Sequence, residues 1–298
     1  MSLTNWIRKI ALIGMVISLF GAAVPAHAAE SKTNVYINGM PSWDVLSVNG
    51  RTLVPLNTLS DPAWKISFDA KSKTVKLKTE KKMIELKSNQ TSALVNGEKV
   101  KLEAPMTVKK GNAYVPLRFI SQTLDSYVSY NKEKKRTIIR TPIGEKQYKA
   151  MMNGDLTEAR QAVSQLSFVF EDGLEQLPYT GEGFTTVNTF PYGEALRVMV
   201  EYKGMLTYGE VDQDGLLIGK WQKDKLGKKL EAGTPPKPFG KSVYFSYTFI
   251  SDYRIYGITD ADGTNTELGR SELKDGERSI VPIEGETRTD VKKAVAPQ

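Results

Sequence analysis

The chain of 298 residues contains no cysteine and only one histidine, His27. The absence of cysteine excludes disulfide bonds, iron–sulfur clusters, thiolate zinc sites and cysteine nucleophiles. Copper and zinc centres depend mainly on imidazole and thiolate ligands, so a single histidine leaves few ways to hold such a metal. We therefore expect neither a cofactor nor a metal site.

The first 28 residues have the features of an export signal. Arg8 and Lys9 precede an uncharged apolar run at residues 10–24, and an Ala-His-Ala tripeptide that ends at Ala28 fits the small-x-small cleavage pattern. We predict cleavage between Ala28 and Ala29, and a secreted or extracellular protein that can associate with the cell wall. An uncleaved membrane anchor is the alternative, although the run is shorter than the ~20 apolar residues of a span.

Cleavage would change the chemistry of the chain. It removes the only histidine, together with two cations and no acid, so a net charge of +7 becomes +5. A modestly basic secreted protein favours polyanionic cell-wall polymers as partners. Ordinary solvated surface charge is the competing explanation.

Two related units cover about residues 33–141. Gly50 and Gly111 begin the similar stretches GRTLVPLNTLS and GNAYVPLRFIS. In each stretch a short predicted strand runs to a proline, which cannot donate to a strand ladder but suits the first turn of a helix. Apolar residues recur at helical spacing after Pro116, whereas Pro62 is expected to end the first helix early. Asn-Gly pairs predict the hairpin turns.

These motifs resemble the copper amine oxidase N-terminal-like, or stalk, domain over about 110 of the 298 residues. The matching segments are VNGRTLVPL, WKISFDAKSKTVKL, LVNGEKVKLEAPMTVKKGNAYVPLRFISQTL and VSYNKEKKRTIIR. The resemblance implies a β-sheet wrapped round a helix, in proteins secreted by Gram-positive bacteria. It implies no oxidase activity, because this domain is the non-catalytic accessory part. Such oxidases also need copper-binding histidines and a modified tyrosine in an Asn-Tyr-acidic segment, and the mature chain has neither.

The rest of the chain predicts a mostly-β domain at residues 150–284 with one N-terminal helix. Asp155 and Glu158 have capping-box spacing before an apolar helical face, and segments rich in β-branched and aromatic residues follow. Residues 285–298 are charged and free of aromatics, which indicates a flexible tail. The predicted fold class is therefore α+β: an N-terminal antiparallel β-sheet wrapped round a short helix, in two related units, followed by this mostly-β domain.

Aromatic residues are the candidates for a ligand-binding surface, because sugar rings and other flat groups stack on them. Two candidates share one predicted strand at an odd spacing, so they lie on opposite faces of its sheet. Core packing is the competing explanation for each residue. The candidates are Trp43, Trp221, Tyr244 and Tyr247.

Several motifs suggest chemistry without the context that it needs. Leu-Pro-Tyr-Thr-Gly at residues 177–181 spells a wall-sorting signal but lies far from the C-terminus, so we predict a turn. Asp-x-Asp-Gly at residues 212–215 and 260–263 lacks the third acid and the glutamate of a calcium loop and predicts hairpin turns. The basic runs at residues 71–82 and 132–136 are interrupted by glutamates, and we expect no nucleic-acid binding.

The competing function is an extracellular, glycan-directed hydrolase in the C-terminal half, which would need a pair of carboxylates. No spacing selects two acids among the candidates, and no supported serine-nucleophile motif is present. The candidate acids are Glu171, Asp172, Glu194, Glu201, Glu210 and Asp212.

We predict a secreted, non-catalytic binding or scaffold protein of the cell envelope or extracellular space. Its expected partners are cell-wall polymers or another extracellular protein, and no membrane span is expected after signal removal. A sensor or inhibitor module that pairs with a secreted protein through an open sheet edge is a third hypothesis.

Overall fold

A computed structural model describes residues 34–59, 61–170, 173–227, 230–248, 250–272 and 279–292. The predicted export signal and its cleavage site at Ala28 and Ala29 lie outside the described residues. Within these ranges, no helix combines the length and apolar character that a membrane crossing requires. The described chain is mostly β with three α-helices, in broad agreement with the predicted α+β class.

The N-terminal part, residues 34–140, contains thirteen strands, one α-helix and one 3₁₀ turn among the described residues. The strands are β1 (Asn34–Ile37), β2 (Met40–Ser42), β3 (Leu46–Val48), β4 (Arg51–Pro55), β5 (Lys65–Asp69), β6 (Thr74–Lys78), β7 (Met83–Lys87), β8 (Ser92–Val95), β9 (Glu98–Lys101), β10 (Thr107–Lys109), β11 (Asn112–Pro116), β12 (Tyr127–Asn131) and β13 (Arg136–Arg140). The α-helix is α1 (Leu117–Thr123), and the 3₁₀ turn is Leu56–Thr58.

Three small sheets arise from these strands. Their orders are β12-β13-β1-β2, β10-β11-β4-β3 and the five-stranded meander β5-β6-β7-β8-β9. Strands β4 and β11 come from the two repeated units and pair antiparallel, with Val54 opposite Val115. The two repeats therefore meet at equivalent positions and share one core.

The predicted strand-to-helix switch is present in both repeats. Pro116 ends β11 and directly precedes α1, which buries Phe119 and Ile120. Pro55 ends β4 in the same way, but only the short 3₁₀ turn follows. Asp61 then accepts a hydrogen bond from the Ala63 backbone N–H, so the chain has already turned where a second helical turn would lie.

The C-terminal part, residues 142–292, begins with two helices rather than the one predicted. They are α2 (Pro142–Asn153) and α3 (Leu156–Val163). Pro142 occupies the first turn of α2, where its missing N–H costs nothing, and Tyr148, Met151 and Met152 form a buried stripe. Residues 142–149, which lie between the two predicted domains, are therefore helical. Asp155 caps α3 by accepting from the backbone N–H of Glu158, as its spacing predicted.

One nine-stranded sheet forms the remainder of the described C-terminal part. Its strands are β14 (Phe168–Phe170), β15 (Thr185–Pro191), β16 (Arg197–Tyr202), β17 (Met205–Val211), β18 (Leu217–Asp224), β19 (Glu231–Gly233), β20 (Ser242–Thr248), β21 (Tyr253–Thr259) and β22 (Asn265–Glu272). The order is β14-β18-β17-β16-β15-β20-β21-β22, with β19 also paired to β18.

One face of this sheet, the inner face, packs against the two helices. Phe190, Val198 and Phe245 are buried there with Met152 of α2 and Val163 of α3. The helices cover only part of the inner face, and the uncovered part forms a cavity. The opposite, outer face carries the intervening residues of the same strands.

The two parts of the described chain are in direct contact. Tyr36 and Ile138 of the N-terminal part pack against Val169 and Ile218. Arg136 is buried and forms ion pairs with Asp212 and Asp214.

Arg140 reinforces this junction. It donates to Glu145 of α2 at 2.7 Å, and its guanidinium lies between the rings of Tyr127 and Tyr148, 3.9 and 3.7 Å from their centroids. Hydrogen bonds and stacking therefore hold α2 against β13 and β12.

Part of the stretch assigned to a flexible tail is tied to the sheet and helices. Arg160 of α3 forms a buried ion pair with Glu286, and Asp290 accepts from the backbone N–H groups of Ala195 and Leu196. These acids could not be recognised as anchors because their partners lie some 100 residues away. Residues 293–298 lie outside the described range.

Candidate functional site

The four aromatic candidates do not converge on one site. Trp43 lies between β2 and β3 in the N-terminal part and is 84% exposed. The other three belong to the C-terminal sheet, where Trp221 and Tyr244 lie on the outer face and Tyr247 on the inner face. The four residues therefore do not share one surface, and each is considered separately.

Trp221 is largely a packing residue. Only 6% of it is exposed, and its indole Nε1–H donates to Glu231 of the neighbouring strand β19 at 2.9 Å. This hydrogen bond, with help from Lys223, lowers the pKa of Glu231. Trp221 also lines an open groove of about 460 Å³ on the outer face, with the proline-rich segment at residues 235–239 opposite.

Tyr244 and Tyr247 follow the predicted alternation along β20. Tyr244 lies opposite Gly257 on the outer face, and burial together with Glu267 raises its pKa. Tyr247 points to the inner face, on the same side as the buried Phe245. Of the four candidates, Tyr247 alone lines the inner-face cavity.

The inner-face cavity has a volume of about 340 Å³, within the range of small-molecule sites. Its floor is formed by inward-facing residues of five strands of the sheet, and its sides by the end of α3, β14 and the segment at residues 176–179. None of the described residues that line it is charged. Tyr179, at 46% exposure, marks its rim.

The cavity floor contains buried polar side chains. Gln222 is fully buried; its Oε1 accepts from the Leu177 backbone N–H at 2.8 Å and its Nε2 donates to the Thr207 hydroxyl at 3.2 Å. Asn188 is 4% exposed, and its amide has no hydrogen-bond partner among the described residues. The sequence signal for Asn188 was an amide at an inward position of the strand TTVNTFP, between Thr186 and the core residue Phe190.

The Leu-Pro-Tyr-Thr-Gly segment is not a turn in the structure. It runs irregularly past the cavity and is fixed at three points: Leu177 on Gln222, Thr180 on Asp224 and Gly181 on the Lys203 carbonyl. A Cβ at Gly181 would lie 2.4 Å from that carbonyl oxygen, so the glycine is required by close approach. The motif forms one wall of the cavity.

The candidate catalytic acids do not form a pair in this cavity. Glu201 pairs with Lys225, and Glu194 with Arg197. Glu210 accepts from the Tyr208 hydroxyl, and Asp212 binds Arg136. The remaining two, Glu171 and Asp172, lie outside the described residues.

The two Asp-x-Asp-Gly segments have other partners. Asp212 and Asp214 both bind Arg136, and Asp262 accepts from the Thr264 backbone N–H, which lowers the pKa of Asp262. Among the described residues, no three His, Cys, Asp or Glu side chains are grouped as metal ligands would be. Residues 29–298 also contain no histidine or cysteine, so their donors do not suit copper.

A lysine-rich surface covers the outward face of the five-stranded meander. Buried Val75, Leu77, Ile84 and Leu86 alternate along β6 and β7 with exposed charged residues. We call this surface the lysine face. Its six lysines are Lys65, Lys76, Lys78, Lys87, Lys99 and Lys101.

The lysine face is weakly compensated. It carries two acids, Asp69 and Glu85, and none of its six ammonium groups forms an ion pair with a described carboxylate. Lys65 and Lys78 lie directly opposite each other across β5 and β6, and like charges in that position destabilise a sheet. Lys76, by contrast, lies directly opposite Glu85 and helps to lower the pKa of Asp69. The face as a whole still carries six cations against two acids.

The charge of the chain is distributed unevenly between its parts. Residues 34–140 contain 19 Lys and Arg against nine Asp and Glu, a net charge of +10. Residues 141–298 contain 19 against 24, a net charge of −5. The moderate net charge of the whole chain thus hides a strongly cationic N-terminal part. The alternation of apolar residues and lysines in the sequence of β6 and β7 was the signal that could have shown where these charges lie.

Comparison with known proteins identifies the N-terminal part alone. No curated protein matches the chain. Residues 34–139 match the family described as the copper amine oxidase N-terminal domain, and this part of the chain is an amine oxidase-like stalk domain.

Proposed function

We propose that the protein is an exported, non-catalytic binding protein, retained at the cell envelope through the lysine face of its stalk domain. The partner is an anionic polymer of the wall. The observation that carries the proposal is the clustering of six unpaired lysines on one sheet face.

The geometry of the face suits a linear polyanion. Adjacent strands lie about 4.8 Å apart and alternate residues of a strand about 7 Å apart, so the ammonium groups form a two-dimensional array. Long lysine side chains can adjust to a flexible polymer, because each ends in a mobile point charge. The face is open, so a chain of any length can lie across it.

The charge difference between the two parts supports an oriented contact. An anionic surface attracts the stalk domain, with +10, and repels the C-terminal part, with −5. Such attraction is long-range at low ionic strength and is screened within about 8–10 Å at physiological salt. Attachment of this kind is reversible and sensitive to salt.

Three features support a non-catalytic role. Each described carboxylate proposed for a hydrolase is engaged by a cation or a hydroxyl group. The described lining of the inner-face cavity contains no acid that could act as general acid or base. The stalk domain supplies no copper ligands of the imidazole type.

The test is retention of purified residues 29–298 on isolated cell walls at low and high ionic strength. The variant Lys76→Gln, Lys78→Gln, Lys87→Gln removes three charges from the lysine face. Each lysine beside an anionic surface contributes about 1 kcal/mol, so affinity should fall about 100-fold. The matched control, Lys146→Gln, Lys220→Gln, Lys237→Gln, removes three exposed lysines from the C-terminal part and should bind like the parent.

Two results would overturn the proposal. One is the absence of retention at any salt concentration; the other is an equal loss of binding in the two triple variants. Mass spectrometry of the protein from the culture medium tests export separately, with an N-terminus at Ala29 as the expected result.

A further inference from the structure

We propose that the inner-face cavity of the C-terminal sheet binds a neutral sugar that carries an acetamido group. The juxtaposition that supports this site is an amide, Asn188, that faces a cavity of about 340 Å³ and has no hydrogen-bond partner among the described residues, beside aromatic, aliphatic and uncharged polar side chains. The cavity and the lysine face belong to different parts of the chain, so either proposal can fail alone.

Asn188 indicates that the natural occupant is polar. The Asn188 amide lines the cavity, and its polar atoms are not among the buried atoms that lack a partner, so they reach the cavity space. Native folds pair nearly all polar groups in the interior with protein groups, water or a ligand. Its two inward neighbours along β15 differ in position: Phe190 is buried in the core, and Thr186 lines the same cavity. A ligand amide would satisfy Asn188 by offering one acceptor and one donor to its two complementary groups.

The neighbouring amide does not compete for this role. Gln222 is already bound through both its oxygen and its nitrogen, to Leu177 and Thr207. It therefore fixes the wall of the cavity, whereas Asn188 remains available to a ligand. Gln222 therefore shapes the cavity, and Asn188 recognises the ligand.

Aromatic rings supply the stacking surface that a sugar needs. Tyr179 and Tyr202 meet edge to face with centroids 5.4 Å apart, and Phe168 and Phe170 stack at 6.0 Å. Tyr247 lines the same cavity. A pyranose has C–H faces that pack on such rings and an edge of hydroxyl groups, so it satisfies both kinds of lining.

The lack of charge in the described lining sets the specificity. A carboxylate or ammonium group moved from water into this cavity would lose its hydration without gaining a counter-charge from the described lining. A wholly apolar ligand would leave Asn188 unpaired. Neutral acetamido sugars are therefore preferred over uronic acids, amino sugars with a free amine, and hydrocarbons.

Isothermal titration calorimetry of the purified protein with N-acetylglucosamine and its β-1,4-linked disaccharide tests the proposal. Glucose and glucuronate serve as the comparison ligands. We expect saturable binding of the acetamido sugars, binding of glucose about tenfold weaker through loss of one buried hydrogen bond, and no binding of glucuronate. Failure of the acetamido sugars to bind, or preferential binding of glucuronate, would overturn the assignment.

Two variants locate the site. Asn188→Leu should weaken sugar binding about tenfold through loss of the hydrogen bond to the ligand. Thermal stability should stay close to that of the parent, because no described residue forms a hydrogen bond with this amide. Tyr179→Ala at the exposed rim tests the same cavity without altering the core. Thr189→Val is the matched control, since its side chain lies on the opposite face of β15. Unchanged affinity in both cavity variants would contradict the proposed location.

Discussion

At the scale of single residues, the alternation of side chains along a strand predicts which face of the sheet each one occupies. The pattern of β20 correctly separated Tyr244 from Tyr247, because successive side chains point to opposite faces. The same pattern could not predict that Trp221 would be buried, since its burial depends on a loop and a neighbouring strand that come together only in the folded chain. Side-chain direction was therefore predictable, and exposure was not.

The buried pair Arg160 and Glu286 illustrates the same limit. Both side chains are almost fully buried, and the carboxylate also accepts from the Gly193 backbone N–H. Burial of two charges is tolerated only when each is paired and hydrogen-bonded. In the sequence these residues are an ordinary helix arginine and an ordinary acid in a charged stretch.

Trp221 and Glu231 give a pH-dependent prediction at the residue scale. Because the indole N–H and Lys223 stabilise the carboxylate, the pKa of Glu231 in the folded protein lies below its ordinary value of 4.5. A lowered folded-state pKa means that this contribution is present above pH 4.5 and is lost as the pH falls through the folded value. Its magnitude is small because Glu231 is exposed.

The measurement is an NMR titration of the Trp221 indole N–H signal. We expect a shift with a midpoint below pH 4.5, and we expect Glu231→Gln to abolish it. Glu284→Gln, an exposed change far from Trp221 in sequence, is the control and should leave the titration intact. A midpoint at or above 4.5 would contradict the proposed hydrogen bond to the charged carboxylate.

Among the elements, the strand-to-helix switch was the most predictable. A proline that ends a strand and begins a helix acts through its own covalent geometry, so the sequence alone indicates it. Helix α2 was missed because proline and glycine at positions 142 and 144 are typical of a boundary between domains rather than of a helix. The glycine is explained only by Asn38, which lies 106 residues earlier and packs against the helix.

Gly144 yields the prediction at the element scale. Replacing glycine by alanine inside a helix normally stabilises it by about 1 kcal/mol. Here an added Cβ would lie 1.9 Å from Asn38 Oδ1, which accepts from the Thr141 backbone N–H at 2.9 Å. Displacing Asn38 would break this bond at the start of α2, so we expect Gly144→Ala to destabilise the protein by at least about 1 kcal/mol.

Urea unfolding monitored by circular dichroism measures this effect. Lys146→Ala, at an exposed position of the same helix, is the control and should change stability by less than about 0.5 kcal/mol. A more stable Gly144→Ala protein would show that helix propensity outweighs the contact with Asn38.

For the whole molecule, the sequence indicated two successive parts but not their junction. The repeat that marks the N-terminal part ends near residue 141, where the first predicted domain ends. In the structure, the described residues on both sides of this position belong to one compact unit. The junction depends on Arg136 and Arg140, whose partners in the C-terminal part could not be assigned from the sequence.

This junction predicts that the two parts unfold together. Arg136 is about 1% exposed and forms ion pairs with Asp212 and Asp214. Breaking a buried ion pair by removing one partner typically costs about 3–5 kcal/mol, and the removal of both acids takes two counter-charges from this buried cation. These ion pairs join the N-terminal part to the C-terminal part. The double variant Asp212→Asn, Asp214→Asn should therefore lower stability and also allow the two parts to unfold in separate transitions.

Tryptophan positions allow each part to be followed alone in residues 29–298. Trp221→Phe leaves Trp43 and Trp64 as reporters of the stalk domain, and Trp43→Phe, Trp64→Phe leaves Trp221 as the reporter of the C-terminal sheet. We expect coincident urea midpoints with the intact junction and separate midpoints in the Asp212→Asn, Asp214→Asn background. Separate midpoints with the junction intact would mean that the stalk domain and the sheet are thermodynamically independent, and that Arg136 joins them without coupling their stability.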